Sequence, residues 1–197
     1  TPERTLIAQS GLLGDGMPNH RTLYQAEPGP RELAPGAESL QLKLQTTAPN
    51  GDKVDQILTF HRGSYVIDVA YDITNAGSAP IAPYAYFQLV RDTKTQGTHN
   101  SMAPASYVGP VIYNETDKFK KVEFGELDKV AADPSRKLPY TKKADNGWVG
   151  MVEHYFVAAW LPPDDRKTAR EFYARKLDNG LYAAGVVVPD GTIAPGA

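Results

Sequence analysis

"VDQILTFHRGSYVIDVAYDITNAG", Val54–Gly77, decides the fold. Its two arms are rich in β-branched and aromatic residues and meet at His61–Ser64, where Gly63 can take the positive φ of a tight hairpin. In the second arm Tyr65, Ile67, Val69, Tyr71 and Ile73 alternate with Val66, Asp68, Ala70, Asp72 and Thr74. A period of two with one apolar and one mostly polar face is the pattern of a half-buried antiparallel strand. Asn75–Pro80 supplies the turn residues that close it.

The pattern extends on both sides. Leu40, Leu42 and Leu44 alternate with Gln41, Lys43 and Gln45, and Ala48–Lys53 carries the hairpin dipeptide Asn50–Gly51. Ile81–Val90 is a further apolar run, broken by Pro83, which suits an edge strand or a bulge. Lys167–Leu177 has helical propensity, but Asp178–Asn179–Gly180 ahead of "LYAAGVVV" signals a three-residue hairpin loop, and strand–turn–strand is favoured. One short helix is expected over Gly125–Ala132, stopped by Pro134. Arg91–Pro104 reads as a long loop, and "KFKKVEF" within Glu115–Asn146 as an edge strand whose lysines block unwanted sheet pairing. About ten or more short antiparallel strands with alternating faces make an all-β sandwich of two sheets, with little helix.

The 197 residues suit one domain, 1–197, with a real core, and the composition is that of an ordinary globular chain. A net charge of −2 gives no positive field for phosphates, so nucleic acid is not an expected partner. The chain has no cysteine, which excludes disulfides and thiolate metal sites. No apolar run is long enough to span a bilayer. The chain opens on TPERTL without Met and is read as an excised piece, either a processed protein or a soluble part cut from something longer.

The most apolar stretch is "GWVGMVEHYFVAAWLPP", Gly147–Pro163. Read as one central strand, Val149–Leu161 puts Glu153 with Val149, Met151, Tyr155, Val157 and Ala159, and His154 with Val152, Phe156, Ala158 and Trp160. Glu153 and His154 then cannot converge on one substrate atom, and each is expected to be satisfied locally. His20, His61, His99 and His154 stand far apart, and Asp164–Asp165 reads as a surface turn, so no metal site is expected. "GLLGDG", Gly11–Gly16, lacks the Lys–Ser/Thr of a phosphate loop and reads as a flexible turn. No serine-hydrolase or zinc-protease motif occurs. Asn114–Glu115–Thr116 has the form of a glycosylation sequon. The 11 Tyr and two Trp mostly occupy alternating strand positions, where rings fill cores; a sugar platform is the other use for them.

The order of motifs carries a resemblance. "SGLLGDG", "HRGSYVIDVAYDITNAG", "YVGPVIYN" with "DKFKKVEF", "GWVGMVEHYFVAAWLPP" and "FYARKLDNGLYAAG" follow one another along nearly the whole chain. In that order the chain resembles the large periplasmic domain of the YidC-type membrane protein insertases of Gram-negative bacteria. The resemblance implies a galactose mutarotase-like β-supersandwich on the periplasmic face of the inner membrane, between the first two transmembrane helices of a multi-pass protein. It implies further strands before "LIAQSGL" and a linker and helix after "TIAPGA". It also implies insertion and folding of nascent inner-membrane proteins, alone or with the Sec translocon and its accessory subunits. The insertion chemistry belongs to the membrane part, so this domain is expected to be a non-catalytic scaffold without cofactor, metal or catalytic residue. The paired His and Glu of a mutarotase have no counterpart in the chain, and the likeness of fold does not carry that activity over. The polar segments Asp92–Asn100 and Glu115–Asn146 are the expected partner contacts, and within the second Lys118, Lys120, Lys121 and Glu123 are the expected contact residues. The alternative is a carbohydrate-binding or mutarotase-like domain, marked by a His and a carboxylate converging in a concave face.

Overall fold

Alternation of side chains along short strands dictates the architecture, and the computed structural model follows it over residues 4–94, 107–164 and 168–197, the residues it describes. Among them are thirteen strands, β1–β13, and one helix, α1. All the paired strands with a stated register are antiparallel. The chain divides into two compact units.

One unit is formed by Leu12–Pro83 and Asp190–Ala197. Its sheet runs β2-β3-β4-β5, with β2 Gln25–Ala26, β3 Ser39–Thr47, β4 Lys53–His61 and β5 Ile67–Thr74. Gly51 at φ 92° and Gly63 at φ 69° make the two hairpin turns that the sequence marks. Val69, Tyr71 and Ile73 are more buried than Asp68, Ala70, Asp72 and Thr74, so the alternation holds. Tyr65 and Val66 depart from the expectation: they lie before β5 and are exposed, because the turn after Gly63 takes more residues than a minimal hairpin. Asn75 is buried and acts as a clasp. Its Nδ2 donates to the carbonyls of Ala79 and Ile193, at 2.9 and 3.1 Å.

The other unit, the residues up to Gly11 with Tyr84–Pro189, is a sandwich in its own right. A five-stranded sheet has the order β1-β6-β13-β12-β9, with β1 Leu6–Leu13, β6 Tyr84–Arg91, β9 Lys143–Ala144, β12 Arg170–Lys176 and β13 Tyr182–Pro189. A four-stranded sheet has the order β11-β10-β7-β8, with β7 Gly109–Asn114, β8 Lys118–Lys121, β10 Trp148–Val152 and β11 Val157–Trp160. The inward residues of the two sheets make one apolar core: Leu89, Ile112, Val149, Met151, Phe172, Ala184 and Val186 are all buried in it. α1, Phe124–Ala132, contributes Leu127, and the loop after it contributes Tyr140.

Several expectations hold in detail. The Glu126 carboxylate accepts the Glu123 N–H at 3.2 Å at the start of α1, and the helix stops at Asp133, just before Pro134. β12 and β13 form the expected hairpin, closed by the Leu177 N–H to the Leu181 carbonyl at 2.7 Å, with Gly180 at φ 75°. Helical propensity over Lys167–Leu177 loses because Phe172 and Ala174, two apart, both enter the core, which a strand allows.

Three readings are corrected. Pro83 does not put an edge or a bulge inside Ile81–Val90. It precedes β6, which lies between β1 and β13 in the interior of its sheet, with full N–H pairing available from Tyr84 onward. Val149–Leu161 is not one strand. It is the β10–β11 hairpin, which reverses at His154–Tyr155, with the Glu153 N–H donating to the Phe156 carbonyl at 2.7 Å. Nor is Glu115–Asn146 only a polar segment, because Val122, Leu127 and Tyr140 fall within it and are buried.

Candidate functional site

The four-stranded sheet presents two edges of opposite chemistry. At one lies β8, paired to β7 alone, with Asn114 opposite Lys118 and Val111 opposite Lys121. Lys118, which opens it, has a positive φ of 60°, the bend that lets the chain return along β7. Asp117 fixes that bend. Its carboxylate accepts the Thr141 N–H, the Thr141 hydroxyl and the Asn114 amide, and the backbone donor from Thr141 is the main reason its pKa lies below the ordinary carboxylate range. Lys118, Lys121 and Glu123 are exposed and Lys120 is half-buried; the three lysines lie on β8, and Glu123 follows it at the start of α1. Lys121 Nζ stands 5.0 Å from the centre of the Tyr107 ring. Burial pushes the Tyr107 hydroxyl well above its ordinary pKa, and that hydroxyl donates to the Pro110 carbonyl.

The neighbouring face is aromatic. Trp148 lies 6.0 Å from Tyr113, nearly parallel to it, and 6.1 Å from Phe119. Gly150 leaves room beneath the indole: a Cβ there would stand 3.2 Å from both Trp148 and Val111.

At the opposite edge lies the β10–β11 hairpin. Its turn exposes Tyr155 at 82% and Phe156 at 73%, and Val157 follows at 62%. Glu153, just before the turn, points the other way. Its Oε1 sits 2.9 Å from Nη1 of Arg91, and its Oε2 accepts from Nη2 of Arg4 at 3.0 Å. The Arg91 side chain is 1% exposed and that of Glu153 11%. Burial pulls the Arg91 pKa down from its ordinary value, and the Glu153 carboxylate opposes that pull. The charge of Glu153 is thus compensated by arginines distant in sequence, not by its neighbours. His154 is exposed on the far side of the turn, with its ring edge-on to Tyr155. As expected, the pair does not converge on one atom.

Other sequence candidates resolve as follows. His61 Nε2 and Asp68 Oδ2 approach to 2.7 Å across β4 and β5, but both are exposed on an open strand pair. A shallow depression between Leu23, Gln25, Gln45, Thr47, Lys53 and Asp55 carries no histidine. Asn114 of the sequon is fully buried, and its Oδ1 accepts the Asp117 N–H at 2.7 Å, so its amide is committed to the fold. In "GLLGDG" the first three residues belong to β1, and the turn is Gly14–Gly16. His99, Asp165 and the greater part of Asp92–Asn100 lie outside the described residues. Among the described residues no group of three or more His, Asp or Glu gathers at metal-binding distance, and no helix is long and apolar enough to cross a membrane.

Sequence reasoning did not single out Arg91 and Arg170. Both are 1% exposed. Arg170 donates from Nη1 to the carbonyls of Gly147 and Pro162, at 2.8 and 3.2 Å, and from Nη2 to that of Pro163 at 3.0 Å.

The family model described as the YidC periplasmic domain matches residues 1–197. Curated relatives carry the printed name membrane protein insertase YidC. One from Nitrosospira multiformis is 47% identical over 100% of this chain and 33% of its own length. One from Nitrosomonas europaea is 45% identical, covering 98% and 30%, and one from Dechloromonas aromatica is 45% identical, covering 97% and 34%. The chain therefore spans about a third of the length of the curated relatives it matches. A match from the first residue to the last, on sheets that keep every quoted motif in a structural place, means that the chain belongs to the YidC periplasmic domain family.

Proposed function

We propose that this chain is the periplasmic interaction module of a bacterial inner-membrane insertase, one that inserts and folds nascent inner-membrane proteins alone or with the Sec translocon. The observation that supports it best is the match along the whole chain to relatives named as insertases, joined to a site whose chemistry is that of contact. The part-buried carboxylate most like a catalytic base, Glu153, already holds two arginines. The module is therefore read as non-catalytic, in need of no cofactor.

Its polar contact surface is assigned to the β8 edge: Lys118, Lys120, Lys121 and Glu123. The three lysines lie on a fixed strand and Glu123 follows it as the cap of α1, and lysines on an edge discourage self-pairing while leaving charge for a partner to read. The partner class is a subunit of the Sec translocon or one of its accessory proteins.

The test is charge reversal, because removing Glu115–Asn146 would take away core residues. Lys118→Glu with Lys121→Glu, placed in the full-length protein, is expected to weaken co-purification of Sec subunits at least about tenfold and to leave thermal stability unchanged. Undiminished co-purification would remove the β8 edge from the reading. If the full-length protein bearing an unfolded module inserted every client at the normal rate, the module would have no part in insertion.

A further inference from the structure

β11 is the other edge of the same sheet, and it is built in the opposite way. It pairs with β10 alone, in the register Val149–Trp160, Gly150–Ala159, Met151–Ala158 and Val152–Val157. The Glu153 N–H to Phe156 carbonyl bond makes that pair a hydrogen-bonded one. Hydrogen-bonded and non-bonded pairs alternate along an antiparallel ladder. Ala158 and Trp160 therefore turn their N–H and C=O groups toward β10, while Val157 and Ala159 turn theirs outward, and Leu161 continues the outward series. Among the described residues, no backbone group pairs with these outward ones.

The side chains leave the edge open as well. β8 is lysine at three of its four positions, the charge that blunts an exposed edge. β11 and the residue after it read Val-Ala-Ala-Trp-Leu, with no charge and no polar side chain except the indole N–H. That N–H is already given to the Gln88 carbonyl at 3.0 Å. Val157 and Leu161 are each 62% exposed.

Both ends of this open edge are clamped. At the turn, Arg91 and Arg4 hold Glu153. At the exit, Arg170 holds the carbonyls of Pro162 and Pro163. Two nearly inaccessible guanidiniums thus fix a strand whose outer side binds nothing among the described residues. A pre-set strand saves a partner the cost of ordering it. Pro162 and Pro163 lack N–H groups and end the edge, so it offers pairing to a segment of only about four or five residues.

We propose that the outer edge of β11, Val157–Leu161, is a β-augmentation site that takes up a short, extended, uncharged apolar segment of an unfolded polypeptide as an added strand. The proposal deepens the insertase reading and rests on it for the source of the segment. Main-chain hydrogen bonds give affinity to any sequence that can extend, and the apolar rim selects Val, Ile, Leu or Ala over charged residues. That tolerance suits a site that meets many different apolar stretches, and the absence of charge suits segments that carry none.

The experiment uses the 197-residue chain and a fluorescent decapeptide of alternating Val and Thr, flanked by Lys for solubility. Anisotropy titration is expected to give saturable binding. Val157→Lys, which places a charge on the edge, and Ala159→Pro, which removes one outward donor, are each expected to weaken it at least tenfold. Glu32→Lys, an exposed position with no assigned role, is expected to leave it unchanged. N-methylation of alternate peptide nitrogens is expected to abolish binding, and bound peptide to slow amide exchange at Val157, Ala159 and Leu161. Equal binding by the methylated peptide, or by a folded Val157→Lys variant, overturns the proposal. So does a homodimer that Val157→Lys converts to monomer, because the edge would then belong to a second copy. Normal peptide binding beside unimpaired insertion in the full-length protein would instead count against the insertase role of the module and leave the site standing.

Discussion

Arg91 Nη1 lies 2.9 Å from Glu153 Oε1, joining the end of β6 in one sheet to the turn of the β10–β11 hairpin in the other. Neither atom makes a hydrogen bond among the described residues, so the ion pair between them is what offsets their burial. Removing one partner of a buried pair leaves an uncompensated charge, at a cost of about 3–5 kcal/mol. Glu153→Ala is expected to lose that much in urea denaturation. Combining it with Arg91→Leu should recover part of the loss. A double variant as unstable as the sum of the singles would show that the two residues act independently.

Arg170→Lys tests the second clamp. One ammonium cannot serve the carbonyls of Gly147, Pro162 and Pro163 together in the plane that the guanidinium provides. The expected loss is about 1.5–3 kcal/mol, the range for hydrogen bonds to a charged group. A melting temperature within a degree of the wild type would contradict it.

Gly147→Ala should be among the most damaging single-methyl additions. A Cβ there would stand 2.0 Å from the Tyr113 carbonyl oxygen, and φ is 103°. Positive φ for alanine costs about 1–3 kcal/mol and overpacking about the same again. Gly150→Ala, whose nearest atoms would lie 3.1 to 3.2 Å away, should cost less and shift the tryptophan emission through Trp148. Equal stability of the Gly147→Ala and Gly150→Ala variants would refute the packing described.

Alkaline pH should destabilise the chain through its buried phenols. Burial pushes Tyr140 and Tyr173 each up to about 12. In the unfolded chain tyrosine titrates near pH 10. Between those two values the folded state binds more protons, so stability is intact below about pH 10 and falls as pH rises toward 12. Tyr140→Phe should flatten that fall. It also removes the acceptor for the Ala174 N–H, at 2.8 Å, and should cost about 1 kcal/mol at neutral pH. Urea midpoints at several pH values, read beside phenolate absorbance, check both effects.

Turns with a backbone signature were legible. Gly51, Gly63 and Gly180 all take positive φ in hairpins that Asn-Gly, Arg-Gly and Asp-Asn-Gly announce. The end of the helix was legible because Pro134 follows it, whereas the Glu123–Glu126 capping pair at its start was not read. The β10–β11 turn was not, because no residue in Glu153–Phe156 has positive φ, and the turn therefore needs no glycine, asparagine or proline. With both arms apolar, period two runs through it unbroken, and only the polar dipeptide midway between Gly147 and Pro162 hints at a reversal. The β8 edge strand could be read from its lysines. The clamps could not, since Arg4, Arg91 and Arg170 come together with Glu153 and the proline carbonyls only through sheet pairing across long stretches of chain.

The strand order β1-β6-β13-β12 has a kinetic consequence. β6 finds its partner β13 only after the whole span from Asp92 to Leu181 has been synthesised and delivered, and Tyr84–Arg91 is then zipped to Tyr182–Pro189 in a single register. Pairing so remote in the chain is slow, of order milliseconds to seconds for sandwich topologies. A chain emerging one residue at a time holds its interior apolar strands unsheltered until nearly its last element arrives, so truncation anywhere before Tyr182 should yield a protease-sensitive product rather than a smaller stable body.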